Sequence, residues 1–139
     1  MISEIFKEIN WIAVLVGTLA YFALGAIWYS FLFKDKWIAY NKIDMSDPNG
    51  KKGVGAIMFA SFIMMFISST GLAILTEYLG LSSWQHGVHL GLLSGICFAS
   101  TSMAINMLYE KKPLGLFLIN GGYQLIGNII AAIIIVLWQ

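Results

Sequence analysis

Arginine is absent from this chain of 139 residues, and charged residues of both signs make up only 11% of it. An ordinary soluble domain has about 25% charged residues, so the composition excludes that class. Cysteine occurs once, at Cys97, which excludes a disulfide framework and a thiolate metal cluster. No serine or cysteine has an obvious His and Asp partnership, and no glycine-rich phosphate loop occurs. We therefore expect no enzymatic activity, no cofactor and no nucleic-acid partner.

Long apolar runs dominate what is present. The chain is 59% hydrophobic, with a mean hydropathy of +0.81. Crossing about 30 Å of hydrocarbon takes roughly 20 helical residues, and four runs reach that length. They cover residues 11–33, 54–76, 86–109 and 115–138. The sequence therefore predicts an all-α, polytopic integral membrane protein, a single four-helix transmembrane bundle over residues 1–139, with the lipid bilayer as its surroundings.

The placement of lysine predicts the orientation, because short cytoplasmic loops collect positive charge. Seven of the eight lysines fall in the first and third loops: Lys34, Lys36, Lys42, Lys51, Lys52, Lys111 and Lys112. We expect both loops to be cytoplasmic and both termini to lie outside the cytoplasm, in a plasma membrane or bacterial inner membrane.

Small residues form a ridge along the third run. Gly87, Gly91, Gly95 and Ala99 recur at four-residue intervals. At about 100° per residue, Ser102 and Asn106 extend the same side. Such small-xxx-small ridges let another helix backbone approach closely in a membrane. The ridge is predicted to be a helix-packing surface.

Carboxamides mark the fourth run, where Asn120, Gln124 and Asn128 lie four residues apart. An amide left unpaired in hydrocarbon costs several kcal/mol, so this carboxamide stripe is predicted to face protein or water. Leu118, Leu125, Ile129, Ile133 and Val136 occupy the opposite face. One interpretation is that the stripe forms interhelical hydrogen bonds, with Asn106, Ser68, Tyr21 or Tyr29 as candidate partners. The other is that it lines a ligand site or a pathway.

Two further features have alternative interpretations. Trp28 and Tyr29, near the cytoplasmic end of the first run, are either interfacial anchors or part of a site with the stripe. The adjacent Gly121 and Gly122 permit either a kink or a close approach by a ligand or a helix.

Titratable side chains occur together at the outer ends of the second and third runs. Glu77, His86 and His89 are of the types that bind divalent metals, and histidine also senses pH. Their spacing is not a recognised metal signature, so we expect no metal site and retain the three as minor candidates.

The segment from Gly25 to Phe33, with Trp28-Tyr29 inside it and Lys36-Trp37 after it, resembles the family of small membrane proteins called domain of unknown function 1761. Asn10, the Gly122-Tyr123 step and Trp138 extend the resemblance over nearly the whole chain. The resemblance implies a four-helix membrane fold and transfers no catalytic residue.

The sequence favours a non-enzymatic bundle that binds a small molecule, a lipid or a protein partner. The candidate surface consists of Asn106, Asn120, Gln124 and Asn128, together with Trp28 and Tyr29. The alternative is a passive channel or uniporter for a small neutral or anionic solute. Charged residues are missing from the centres of all four runs, which disfavours a proton-coupled carrier. The binding bundle is expected to be a homo-oligomer.

Overall fold

The computed structural model describes residues 1–139, with 81% of them helical and none in a strand. Four helices are long and apolar enough to cross a membrane, which confirms the predicted all-α, multi-pass architecture. In chain order the helices are α1 (Ile2–Glu8), α2 (Trp11–Leu32), α3 (Lys34–Asn41), α4 (Val54–Leu79), α5 (Trp84–Tyr109) and α6 (Leu114–Leu137).

Side-chain caps set where two of the long helices begin. Asn10 Oδ1 accepts hydrogen bonds from the backbone N–H groups of Ile12 and Ala13, at 3.1 and 3.2 Å, and so starts α2. Ser83 Oγ accepts from His86 N–H at 3.4 Å at the start of α5. Each cap satisfies backbone donors that have no partner within the helix.

Helix α6 lies at the centre of the molecule and contacts α2, α3, α4 and α5. Its buried residues come from several sides of the helix, among them Tyr123, Asn128, Ala132 and Val136. Three of the apolar residues opposite the stripe, Leu125, Ile129 and Ile133, are half-buried against α5. Both the stripe and most of the face opposite to it are therefore packed against protein.

The glycine ridge of α5 lies directly on the α6 backbone. A Cβ atom added at Gly87 would lie 2.7 Å from Ile133 Cα, and one added at Gly95 would lie 2.9 Å from Leu125 Cα. A Cβ at Gly91 would overlap Ile129 Cα. Since lipid tails are as apolar as the side chains, this close van der Waals contact is what holds two such helices together.

Helix α4 is exposed over its first two turns and becomes buried toward its end. All residues from 54 to 60 are exposed, whereas Ser69, Leu72, Ala73 and Thr76 are buried. The first two turns of α4 therefore stand away from α2 and α6 and leave space beside them.

Candidate functional site

Three aromatic residues of α2 surround Tyr123 of α6. The ring centroids of Tyr21, Tyr29 and Trp28 lie 5.4, 5.2 and 6.5 Å from that of Tyr123. The tyrosine pairs meet edge to face, an arrangement that aromatic quadrupoles favour. Gly25 makes the cluster possible, because a Cβ there would lie 2.9 Å from Tyr123 Oη.

Each carboxamide of the stripe is hydrogen-bonded to a neighbouring helix. Tyr29 Oη donates to Asn120 Oδ1 at 2.9 Å, and Tyr21 Oη donates to Gln124 Oε1. Asn128 is almost fully buried, with 3% of its surface exposed, and lies within hydrogen-bonding distance of Ser94 Oγ and Tyr21 Oη. The tyrosines expected as partners are the partners found, and Ser94 joins them.

Two glycines of α6 provide the space that these aromatic side chains occupy. A Cβ atom at Gly127 would overlap the Tyr21 ring, and one at Gly122 would lie 3.2 Å from Trp28 Cζ2. Helix α6 continues without interruption through Gly121 and Gly122. Gly122 therefore accommodates the close approach of Trp28, and the glycine pair does not introduce a break in the helix.

Trp28 and Tyr29 both turn inward. Trp28 Nε1 donates to the Ile119 carbonyl oxygen at 3.0 Å, and both side chains are half-buried. They begin the last turn of α2, Trp28–Leu32, which is a π-helix. Such wider turns occur often at functional sites.

A cleft of about 450 Å³ lies between α4 on one side and Tyr21, Tyr123 and Gln124 on the other. Its lining combines apolar side chains with a few hydroxyls and one carboxamide. The residues are Tyr21, Ile57, Ala60, Ser61, Met64, Met65, Ser68, Tyr123 and Gln124. A smaller cavity of about 260 Å³ next to it shares Ser61, Met65 and Tyr123 with the cleft. The cleft contains no charged side chain.

The structure does not bring Asn106 to the other carboxamides. Asn106 is exposed, and its side chain makes no hydrogen bond within the chain, whereas Met103 is half-buried and Met107 is buried. The cause is a π-helical stretch in α5, Leu93–Ser100. Its hydrogen bonds span five residues, so each turn holds more residues and the packed face continues through Met103 and Met107. The prediction from sequence assumed a uniform rotation of about 100° per residue and therefore placed Ser102 and Asn106 on that face.

The outer titratable residues do not assemble into a site. No group of three His, Cys, Asp or Glu side chains is placed to hold a metal ion. His86 and His89 are exposed, and His86 Nδ1 accepts from Ser82 N–H at 3.4 Å. Glu77, His86 and His89 therefore supply no set of metal ligands.

Two residues central to the site were not among the candidates from sequence. Tyr123 lies between the stripe and α2, and Ser94 lies 3.3 Å from Asn128 Oδ1. Two signals in the sequence marked Tyr123: its position directly after the glycine pair and the Gly122-Tyr123 step of the family resemblance. Ser94 is next to Gly95 of the ridge, yet an isolated serine in an apolar helix carries no pattern of its own.

Comparison with known proteins identifies a family to which most of the chain is similar. A family model described as "Protein of unknown function (DUF1761)" matches residues 12–136. No curated protein and no solved structure matches the chain.

Proposed function

Since the chain belongs to the DUF1761 family, whose description assigns no activity, we propose from its geometry that it is a non-enzymatic membrane protein that binds a small molecule or a lipid. The observation that carries this proposal is the cleft between α4 and the carboxamide stripe. Ligand sites in proteins are typically concave and mostly apolar, with a few placed polar groups, and hold about 300–1,000 Å³. The cleft, at about 450 Å³, agrees with that description in size and lining.

The cleft borders the surface that faces lipid. Ile57 and Met64, which line it, expose 65% and 62% of their surfaces, and Ala60 and Ser68 are exposed as well. In a membrane-spanning helix such side chains are in contact with acyl chains. A ligand dissolved in the bilayer can therefore enter sideways, without crossing water.

The polar groups of the cleft support binding and not catalysis. They are the hydroxyls of Tyr21, Tyr123, Ser61 and Ser68 and the carboxamide of Gln124. None of these is an activated nucleophile next to a base, and no carboxylate or imidazole lines the cleft. Neutral donors and acceptors orient a ligand without reacting with it.

The hydrogen bonds of the stripe argue against the alternative, a passive channel or uniporter. A pathway needs carboxamide oxygens that are free to replace the water around a solute. Tyr29 already donates to Asn120 Oδ1, and Tyr21 donates to Gln124 Oε1. The stripe is better suited to fixing the wall of a binding site.

We place the protein in a plasma membrane or bacterial inner membrane, with both termini outside the cytoplasm. The lysine-rich loop between α3 and α4 and the loop between α5 and α6 are then cytoplasmic. This orientation rests on the lysine asymmetry of the sequence.

Filling the cleft tests the proposal. Ala60→Trp adds an indole at the wall of the cleft, whereas Phe59→Trp, at the neighbouring position, points to lipid, where Phe59 is 69% exposed. We expect native mass spectrometry of wild-type protein and Phe59→Trp, released from nanodiscs of cell lipid extract, to show the same bound small molecule or lipid. Ala60→Trp should lose it. Identical spectra for all three proteins would contradict the proposal.

A further inference from the structure

The hydrogen bonds beneath the cleft have a fixed direction. Asn128 lies 2.7 Å from the backbone carbonyl oxygen of Gln124, which can only accept. The Asn128 atom at that contact is therefore its amide nitrogen, Nδ2. The same nitrogen lies 3.3 Å from Tyr21 Oη, to which it donates its second proton.

This direction determines how Gln124 is oriented. Tyr21 Oη accepts from Asn128 and has one proton to give, and its other partner is Gln124 Oε1. The carboxamide oxygen of Gln124 is therefore held toward Tyr21. Its nitrogen, Nε2, has no partner within the chain, and Gln124 lines the cleft. The network presents a hydrogen-bond donor to the cleft.

We propose, building on the proposed function, that the cleft takes an uncharged, apolar molecule with a carbonyl group whose oxygen accepts from Gln124 Nε2. The absence of lysine from the lining disfavours an anion, and the absence of a carboxylate disfavours a cation. The hydroxyls of Ser61 and Ser68 make no hydrogen bond within the chain and are further donors on the opposite wall. The carbonyl comes either from the ester of a membrane lipid or from a free lipophilic ketone or quinone.

Tyr21 is a positioning residue in this scheme. It holds the Gln124 amide in one of two orientations that are otherwise equivalent in shape. Without the Tyr21 hydroxyl the amide can turn, and the site loses its preference for acceptors while keeping its apolar walls.

The methionine methyl groups provide a local readout. Met64 and Met65 line the cleft, whereas Met103 and Met107 lie on α5, which contributes no residue to it. Protein labelled with 13C at the methionine methyls is placed in nanodiscs of diether phospholipid, which has no ester carbonyl. It is then titrated with a long-chain 2-alkanone, which only accepts, or with a 2-alkylpyrrole of matched length, whose N–H only donates.

We expect the ketone to shift the Met64 and Met65 resonances at about five- to tenfold lower concentration than the pyrrole, as one net hydrogen bond implies. Met103 and Met107 should not move. Gln124→Met and Tyr21→Phe should each bring the ratio close to one. Asn106→Leu, which changes an exposed carboxamide that the structure places away from the cleft, should leave the ratio unchanged.

The outcomes separate the two proposals. If neither probe shifts Met64 or Met65 in the wild-type protein, the proposed function itself fails. If both probes bind equally well to the wild-type protein, the cleft binds ligands and the carbonyl inference is overturned, whether or not the variants fold. Repeating the titration in diester nanodiscs identifies the source: a lipid carbonyl in the cleft should shift Met64 and Met65 before any probe is added and weaken ketone binding, whereas a free ligand predicts no change.

Discussion

At the scale of single residues, the site depends on glycines, whose lack of a side chain leaves room for aromatic rings. Gly127 allows the Tyr21 ring to lie against α6, and Tyr21 in turn bonds to Gln124. A methyl group at Gly127 would occupy the position of that ring. The hydrogen bond between Tyr21 and Gln124 therefore requires a residue without a Cβ at position 127.

Gly127→Ala should destabilise the protein by about 1–3 kcal/mol, the usual cost of overpacking a filled interior. Gly71→Ala is the matched control, because nothing lies within 4 Å of a Cβ at that position in α4. It should be neutral, or stabilising by up to about 1 kcal/mol. Unfolding in mixed detergent micelles, followed by tryptophan fluorescence, measures both. Equal stabilities of the two variants would contradict the close contact.

Ser69 presents the opposite case, a polar group with no partner. Its hydroxyl is fully buried in α4 and makes no hydrogen bond. An unpaired buried hydroxyl costs about 1–3 kcal/mol, so Ser69→Ala should raise the unfolding free energy or leave it unchanged. The same unfolding assay checks this, and a loss of more than about 1 kcal/mol would show that the hydroxyl has a partner in the membrane.

At the scale of helices, the contact between α5 and α6 is the most extensive in the molecule and brings backbone against backbone. Three glycines of α5 lie on successive turns of the α6 backbone at Ile133, Ile129 and Leu125. Contact of this kind is intolerant of added volume, because the atoms in the way belong to backbone and cannot rotate aside.

Gly91→Ala should therefore destabilise the protein by about 1–3 kcal/mol or more, since its new methyl would meet Ile129 Cα. Gly55→Ala, where a Cβ would meet nothing within 4 Å, serves as the control and should be neutral. Helix separation can be followed by the distance between spin labels on α5 and α6. An unchanged distance together with unchanged stability would contradict this close backbone packing between α5 and α6.

The sequence predicted the helices well and the site only in part. Run length and hydropathy fixed four spans within a few residues of their observed bounds, because crossing a membrane constrains length directly. Helical periodicity placed the carboxamides on one face of α6, and two of their four candidate partners, Tyr21 and Tyr29, are hydrogen-bonded to them. The position of Asn106 did not follow from periodicity, because the π-helical stretch at Leu93–Ser100 shifts the packed face of α5 and no proline marks it. The cleft was also beyond prediction, since it results from how far α4 stands from α6.

At the scale of the whole molecule, hydrogen bonds connect the start of α2 to the end of α6. Asn10 Nδ2 donates to the Trp138 carbonyl oxygen at 2.7 Å, and Asn10 N–H donates to Gln139 Oε1 at 3.1 Å. The same side chain caps α2 through its oxygen. One residue thus starts the first long helix and holds the end of the last.

Asn10→Ala should lose both the helix cap and the hydrogen bond to the Trp138 carbonyl oxygen, and destabilise the protein by about 1–2 kcal/mol. Asn10→Asp keeps an oxygen for the cap but has no donor for Trp138, so it should retain most of the stability. Hydrogen exchange at the C-terminus should accelerate in both variants. Unchanged hydrogen exchange in Asn10→Asp would show that the hydrogen bond from Asn10 to Trp138 does not stabilise the C-terminus.

The proposed orientation is tested on the intact cell. In a Cys97→Ala background, Ser82→Cys in the loop between α4 and α5 should react with a membrane-impermeant maleimide added outside. Ser46→Cys, in the loop between α3 and α4, should react only after the membrane has been permeabilised. The reverse pattern would invert the topology inferred from the lysines.

The most direct test of the binding site is a crystal structure grown from a lipidic mesophase at a resolution that shows waters. We expect elongated non-protein density in the cleft between α4 and α6, with an oxygen atom within hydrogen-bonding distance of Gln124 Nε2. A cleft closed by α4, or a continuous file of water along Asn120, Gln124 and Asn128, would contradict the proposed binding site.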